Sequence, residues 1–332
     1  MRGKKNSVDL DSLPAAKFDF MTPMLAKPAL HLPHGKDWIY EIKLDGYRAL
    51  VVNRMGIVTL FSRRGNKLNA RFPKIAESFG RLPHDTVIDG EIVSLDDRGH
   101  PSFAALQNSQ SRRESLYFYA FDLLKLRGKD VRALPLKERR RLLEEAIARL
   151  RHPVKLSLIF NGEPSELLSA TREQGLEGII AKRIHSSYES GERSGAWLKF
   201  KTNKGQELVI GGYKPGSNGF ESLLVGYYES KKLLFVAKIK NGFTPALRRK
   251  LAERLKTLET KTCPFANLPE RKHARRGEAL TREVMQKMRW LKPKLVAQIE
   301  FTEWTTNNHL RHSKFVGLRD DKPAHEVVRE SI

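Results

Sequence analysis

Trp38-Ile39-Tyr40-Glu41-Ile42-Lys43-Leu44-Asp45-Gly46-Tyr47-Arg48-Ala49-Leu50-Val51-Val52 is the stretch whose reading decides the fold. Its side chains alternate in strand fashion, and Gly56-Ile57-Val58-Thr59-Leu60-Phe61-Ser62 does the same after a turn at Asn53 to Gly56, which predicts a β-hairpin. A period of two puts Glu41, Lys43 and Asp45 on one face and Tyr40, Ile42 and Leu44 on the other. A lysine then stands between two carboxylates. On an exposed strand edge such a trio is usually solvated charge and nothing more, so its meaning depends on the rest of the chain.

Moving outward, Thr86–Ser94 and Leu116–Leu124 are further β-rich runs. Pro135 opens a helical pattern through Leu136, Leu142, Leu143, Ile147 and Leu150, and a second helix is predicted from Ser165 to Gln174, stopped by Gly175. Strands cluster instead of alternating with helices, which favours an α+β domain with an antiparallel sheet over residues 1–202. Beyond it, Glu207–Tyr213, Ser222–Tyr228, Leu233–Lys240 and Val296–Trp304 read as strands, with a turn at Pro215 to Gly219 and a helix near Ala246–Leu258. That pattern suits a small β-barrel over residues 203–332. By strand count alone an oligonucleotide-binding (OB) barrel and an SH3-like barrel both qualify. Pro264–Glu278 reads as a basic loop whose Arg271, Lys272, Arg275 and Arg276 could meet phosphates.

A chain of 332 residues suits two domains. With 61 Lys and Arg against 38 Asp and Glu it carries +23, which favours a polyanionic partner, nucleic acid first among them. The excess is spread evenly: residues 203–332 hold 26 basic and 14 acidic side chains, residues 1–202 hold 35 and 24. Cys263 is the only cysteine, so neither an internal disulfide nor a cysteine-based zinc site can form. No apolar run is long enough to cross a bilayer and the first residues lack a signal-peptide core, so no membrane role and a cytoplasmic location are expected. The pairs His31/His34 and His309/His312 lack clustered co-ligands and are expected to be solvated or to face nucleic acid.

No glycine-rich phosphate loop of either common kind is present, so side chains must hold any nucleotide. Lys43-Leu44-Asp45-Gly46-Tyr47-Arg48 resembles the K-x-D-G-x-R signature of the covalent nucleotidyltransferases, which include DNA ligases, RNA ligases and messenger-RNA capping enzymes. Six further stretches match motifs of that family in order: Ser62-Arg63-Arg64-Gly65, Asp89-Gly90-Glu91, Tyr119-Ala120-Phe121-Asp122, Glu177-Gly178-Ile179-Ile180, Trp197-Leu198-Lys199-Phe200-Lys201 and Arg319-Asp320-Asp321-Lys322. The resemblance spans about residues 20–330. Through Glu300-Phe301-Thr302-Glu303-Trp304 and the segment from Arg311 to Lys322, the chain is most similar to the ligase part of bacterial ligase D, an end-joining ATP-dependent DNA ligase.

The resemblance implies an antiparallel-sheet adenylation domain followed by an OB-fold domain. It implies that Lys43 attacks the α-phosphate of ATP and carries AMP. A free lysine is neutral in only about one molecule in 2500 at pH 7, so neighbouring cations (Arg48, Lys199, Lys201 and metal) are expected to activate it. By the same resemblance Glu41 reads the adenine amino group and Phe121 stacks on the base. Arg48, Arg63 and Glu91 hold the ribose or the phosphate near it, and Arg193, Lys199 and Lys201 hold the α-phosphate. Arg319 and Lys322 orient pyrophosphate, and Glu91 with Glu177 organises Mg²⁺ or Mn²⁺. An RNA ligase or a GTP-using capping-type enzyme would share this chemistry, and a non-catalytic nucleic-acid binder would share the scaffold. About 40 residues precede the first motif, with no additional DNA-clamping, polymerase or phosphoesterase module in view. A Ku-like end-binding protein is therefore an expected partner on nicked or broken duplex DNA, in a bacterial, nucleoid-associated setting.

Overall fold

The computed structural model describes residues 8–17, 20–107, 116–160, 162–202, 205–270 and 280–330. The chain divides into two compact units, Met1–Asn203 and Lys204–Ile332. The first unit's strands, in chain order, are β1 (Lys27–Pro28), β2 (Trp38–Ile42), β3 (Tyr47–Arg54), β4 (Ile57–Ser62), β5 (Thr86–Ser94) and β6 (Leu116–Leu126). They continue with β7 (Lys129–Asp130), β8 (Val154–Leu156), β9 (Ile159–Phe160), β10 (Gly178–Arg183) and β11 (Trp197–Lys201). Two sheets result: one in the order β1-β11-β10-β2-β9, the other β4-β3-β5-β6-β7 with β8 beside β6. Pairing is antiparallel except between β1 and β11 and between β6 and β8.

The continuous strand expected from Trp38 to Val52 is broken. β2 belongs to the first sheet and β3 to the second, and residues 43–46 carry the chain from one to the other. Alternation records only which way a side chain points, so it cannot register a change of sheet. The crossing is fixed locally. The Lys43 N–H donates to the Gly178 carbonyl at 2.8 Å, and Gly46 lies so close to β5 that a Cβ there would sit 2.2 Å from the Ile92 carbonyl oxygen. Asp45 accepts a bond from the Phe103 amide at 3.1 Å.

The register of the first sheet explains its two faces. Glu41, Ile180 and Lys199 stand opposite one another in one row, Ile39, Lys182 and Trp197 in another, and Gly178 faces Lys201. These share one face. Tyr40, Ile179, Ala181 and Leu167 cluster on the other, with Ile42, Leu198 and Phe200 packed against them. Helix α1 spans Pro73–Ser78, α2 Phe103–Gln107, α3 Leu136–Ile147 and α4 Pro164–Glu173, the last followed by Gly175 at φ +65°. The buried side of α3 holds Leu136, Leu142, Leu143 and Ile147 as its periodicity requires, and also Arg139 and Arg140.

In the second unit β12 (Gly205–Gly216), β13 (Gly219–Glu229) and β14 (Lys232–Ile239) form a meander. Helix α5 (Pro245–Lys256) is capped by Thr244, whose hydroxyl accepts from the Leu247 amide, and begins with proline. The chain then runs through β15 (Glu259–Thr260), helix α6 (Arg282–Met285), β16 (Arg289–Glu300), β17 (Glu303–Trp304), β18 (Leu310–Arg311) and β19 (Lys314–Leu318). The segment expected as one strand over 296–304 is thus two strands, β16 and β17. β16 pairs with both β12 and β19, and Asn241, just past β14, bridges Lys314 at the start of β19. Five strands therefore close in the order β12-β13-β14-β19-β16, a small barrel around Val209, Leu224, Phe235, Val296 and Phe315. Arg271, Lys272, Arg275 and Arg276 lie outside the described residues. His309 is not the solvated histidine expected: its Nδ1 meets the Val236 carbonyl at 3.0 Å and its Nε2 meets Glu270 Oε1 at 2.7 Å.

Candidate active site

Lys43 directly follows β2, and its Nζ donates to Glu177 Oε2 at 2.5 Å, each side chain about one-fifth exposed. Main chain and side chain of Lys43 are therefore both held at the start of β10, by Gly178 and Glu177. Gly178 admits no side chain, because a Cβ would lie 2.1 Å from the Phe200 carbonyl oxygen.

Behind Lys43 the same sheet face is built from buried charge. Glu41, 3% exposed, accepts from Arg140 Nη1 at 2.7 Å and Lys182 Nζ at 2.9 Å on one oxygen, and from Ser157 Oγ at 2.9 Å on the other. Arg140 comes from α3 and also donates to the Ser157 carbonyl at 2.7 Å. Lys182 lies 4.5 Å from the Phe121 ring centroid and 4.4 Å from that of Trp197, within cation–π range. Burial, together with the neighbouring Arg140 charge, pulls the Lys182 ammonium below the ordinary lysine value even though Glu41 opposes this.

Phe121, from β6, has a second cation over its ring, Arg48, whose guanidinium carbon is 4.6 Å from the centroid. Arg48 donates through Nε to Asp89 Oδ1 and through Nη2 to Asp89 Oδ2, both at 2.6 Å, and reaches the Met24 carbonyl at 3.2 Å. Burial works against the Arg48 charge, but the adjacent Asp89 carboxylate outweighs it and keeps the guanidinium firmly protonated. Glu91 faces Arg48 across β3 and β5 and is the one residue of β5 not fully buried. Its Cγ lies 3.0 Å from where a side chain on Gly46 would begin.

The remaining predicted residues are less concentrated. Arg63 is half-buried in the turn after β4, and Lys199 and Lys201 are half-buried on β11. Arg193 is exposed in the loop between Gly191 and Gly195. Arg319 and Lys322 belong to the second unit, where Arg319 forms a bidentate pair with Asp321 at 2.8 and 2.9 Å and Lys322 pairs with Glu207 at 3.0 Å. Among the described residues no group of three or more His, Cys, Asp or Glu side chains stands together. Glu91 and Glu177 nonetheless flank the two ends of the 43–46 crossing. One or two carboxylates completed by substrate phosphates and water is a donor set that Mg²⁺ accepts.

Sequence reasoning gave no role to Asp89, Arg140, Ser157, Lys182, Tyr188 or Trp197, which make up much of the floor. Asp89 and Trp197 fell inside matched motifs. Arg140 could be suspected only from its place on the apolar stripe of α3.

Comparison with known proteins shows the family. The family model for the ATP-dependent DNA ligase domain matches residues 23–201, and that for the ATP-dependent DNA ligase C-terminal region matches 216–322. The chain belongs to the ATP-dependent DNA ligase family. Its two units are accordingly a nucleotidyltransferase domain and an OB-fold domain. A solved structure of mycobacterial DNA ligase D complexed with ATP and MES is 35% identical, with a TM-score of 0.68 over 95% of this chain and 100% of that one. The multifunctional non-homologous end joining protein LigD of Pseudomonas aeruginosa is 34% identical over 94% of this chain. DNA ligase C of Mycobacterium tuberculosis is 33% identical over 72% of this chain and 71% of its own length. The chain spans only 37% to 40% of the LigD relatives it matches. No helix among the described residues is long and apolar enough to cross a membrane.

Proposed function

We propose that this ligase-family chain seals nicks or broken ends in duplex DNA by way of AMP carried on Lys43. The observation that carries the reading is the placement of Lys43 against Glu177, on the sheet face where Glu41 holds Lys182 near the Phe121 ring. The neutral Lys43 amine attacks the α-phosphorus of ATP. A nitrogen–phosphorus bond forms, the bond to the β-phosphate oxygen breaks, pyrophosphate leaves and the amine gives up a proton. A DNA 5′-phosphate oxygen then displaces Lys43 from the AMP, and the adjacent 3′-hydroxyl displaces AMP to close the strand.

In this reading adenine stacks on Phe121 with Lys182 at its edge. Glu41 reads the adenine amino group through the oxygen that accepts only from Ser157, while its other oxygen holds Arg140 and Lys182. Arg48, Arg63 and Glu91 hold the ribose and the phosphate near it, while Arg193, Lys199 and Lys201 meet the charge that grows on the α-phosphate. Arg319 and Lys322 exchange Asp321 and Glu207 for pyrophosphate. Glu91 and Glu177 would hold Mg²⁺ or Mn²⁺, which when bound neutralises phosphate charge. We place the boundary between adenylation and OB-fold domains at Thr202. Relatives named for non-homologous end joining support a role at DNA breaks, and the +23 charge suits both a DNA backbone and a nucleoid setting. A Ku-like end-binding protein is the partner we propose for recruitment.

The test is incubation with α-labelled ATP or GTP, followed by nicked DNA or nicked RNA. Label from ATP should appear on the wild-type protein, stay absent from Lys43→Ala, and be released as DNA strands join. Label on Lys43→Ala would remove Lys43 as nucleophile, and preference for GTP or RNA would move the chain to another branch of the superfamily.

A further inference from the structure

Tyr188 belongs to the segment between β10 and β11, and none of the roles assigned above includes it. Its hydroxyl is buried, donates to Asp89 Oδ2 at 2.6 Å and accepts from the Met24 amide at 2.9 Å. Asp89 in turn accepts from Arg48, and Arg48 Nη2 donates to the Met24 carbonyl. Four segments far apart in sequence thus close a ring of hydrogen bonds: Tyr188 to Asp89, Asp89 to Arg48, Arg48 to Met24, Met24 back to Tyr188. The ring consumes Arg48 Nε and Nη2 and leaves the two N–H groups of Nη1 for another acceptor. Tyr188 also packs edge-on against Trp197, which packs edge-on against Phe121. One side chain therefore braces both the cation beside Phe121 and the aromatic wall behind it.

We propose that Tyr188 is a positioning residue, whose hydroxyl sets the direction of Arg48 through Asp89 and thereby tunes recognition of the nucleotide sugar. This rests on the reading that Arg48 meets the ribose. Without the hydroxyl, Asp89 Oδ2 loses one of its two donors and the buried Met24 amide loses its acceptor, so the carboxylate that aims the guanidinium is itself held less firmly. Burial and the Asp89 charge hold the phenol well above the ordinary tyrosine value, so it remains a donor throughout the working pH range.

The experiment measures Lys43 labelling by ATP, 2′-deoxy-ATP and 3′-deoxy-ATP as a function of nucleotide concentration, using the full chain and Tyr188→Phe. The expected result is a KM for ATP raised about tenfold, little change in the maximal rate, and a smaller penalty for at least one deoxy analogue. A purely structural hydroxyl would lower only the amount of active protein, leaving KM and the sugar preference as in the wild type, and that outcome overturns the proposal. If Tyr188→Phe does not fold, difluorotyrosine placed at 188 keeps the ring and hydroxyl while altering donor strength. It should shift the same sugar preference, and an unchanged preference again rejects the idea. Loss of all labelling from the wild type would instead reject the ligase reading itself.

Discussion

The floor of the first unit's site and the 319–322 turn of the second hold charge in opposite ways. In the floor, Glu41 and Asp89 each accept three hydrogen bonds and are 3% and 0% exposed. In the turn, Arg319 pairs with a carboxylate two residues away and Lys322 with Glu207, and both cations keep 15% of their side chains in contact with solvent. A buried carboxylate shared among several donors cannot be removed without stranding them, at a cost of roughly 3–5 kcal/mol. A pair that water partly reaches costs less to break, falling toward about 1 kcal/mol as exposure grows. The first arrangement suits groups that must not move while a base is held. The second suits groups that must change partners during turnover.

The largest effect is expected at Glu41. Glu41→Gln keeps the shape but leaves Arg140 and Lys182 without their shared counter-charge, so unfolding in urea should show a loss of about 3–5 kcal/mol. A loss under about 1 kcal/mol would mean the floor is no more committed than the turn, and the contrast would collapse.

The turn should behave in the reverse sense. Arg319→Ala and Lys322→Ala should each cost less unfolding free energy than Glu41→Gln, about 1–2 kcal/mol, yet slow self-adenylation by roughly a hundredfold through lost transition-state contacts. Joining of DNA that already carries AMP on its 5′-phosphate should be spared. Measured separately, these steps sharpen the comparison: slowed joining with normal adenylation would assign the turn to a later event.

Much of this layout was legible in the sequence because it is local. β5 and β6, the turn at Gly56, and helices α3, α4 and α5 follow from alternation, proline and glycine. Lys43, Glu91 and Glu177 stand out because the matched motifs keep spacing and order. What could not be read is long-range. The break after Ile42 leaves the alternation intact, so no periodic signal marks it. Arg140 reaches Glu41 across 99 positions and Tyr188 reaches Asp89 across another 99. Lys182, between Ala181 and Arg183, shows in sequence no sign that it is buried on a carboxylate. The strands β10 and β11 were not anticipated because one is only six residues long and the other five, and only their partners give them a face.

Glu270 offers an intermediate case and the smallest expected effect. Burial alone would raise its carboxyl, but bonds from His309 and the Leu280 amide hold it below the ordinary glutamate value. A carboxylate with a folded value below its unfolded one of about 4.3 adds stability at higher pH, and loses it as pH falls through the folded value. Wild type should therefore exceed Glu270→Gln by about 1 kcal/mol at pH 7, with the gap closing once the pH drops under 4.3 or so. A gap that stays constant down to pH 3 would show that geometry, not charge, makes the contact. Glu270 would then stand apart from both the floor and the turn, because in each of those the argument depends on ionised partners.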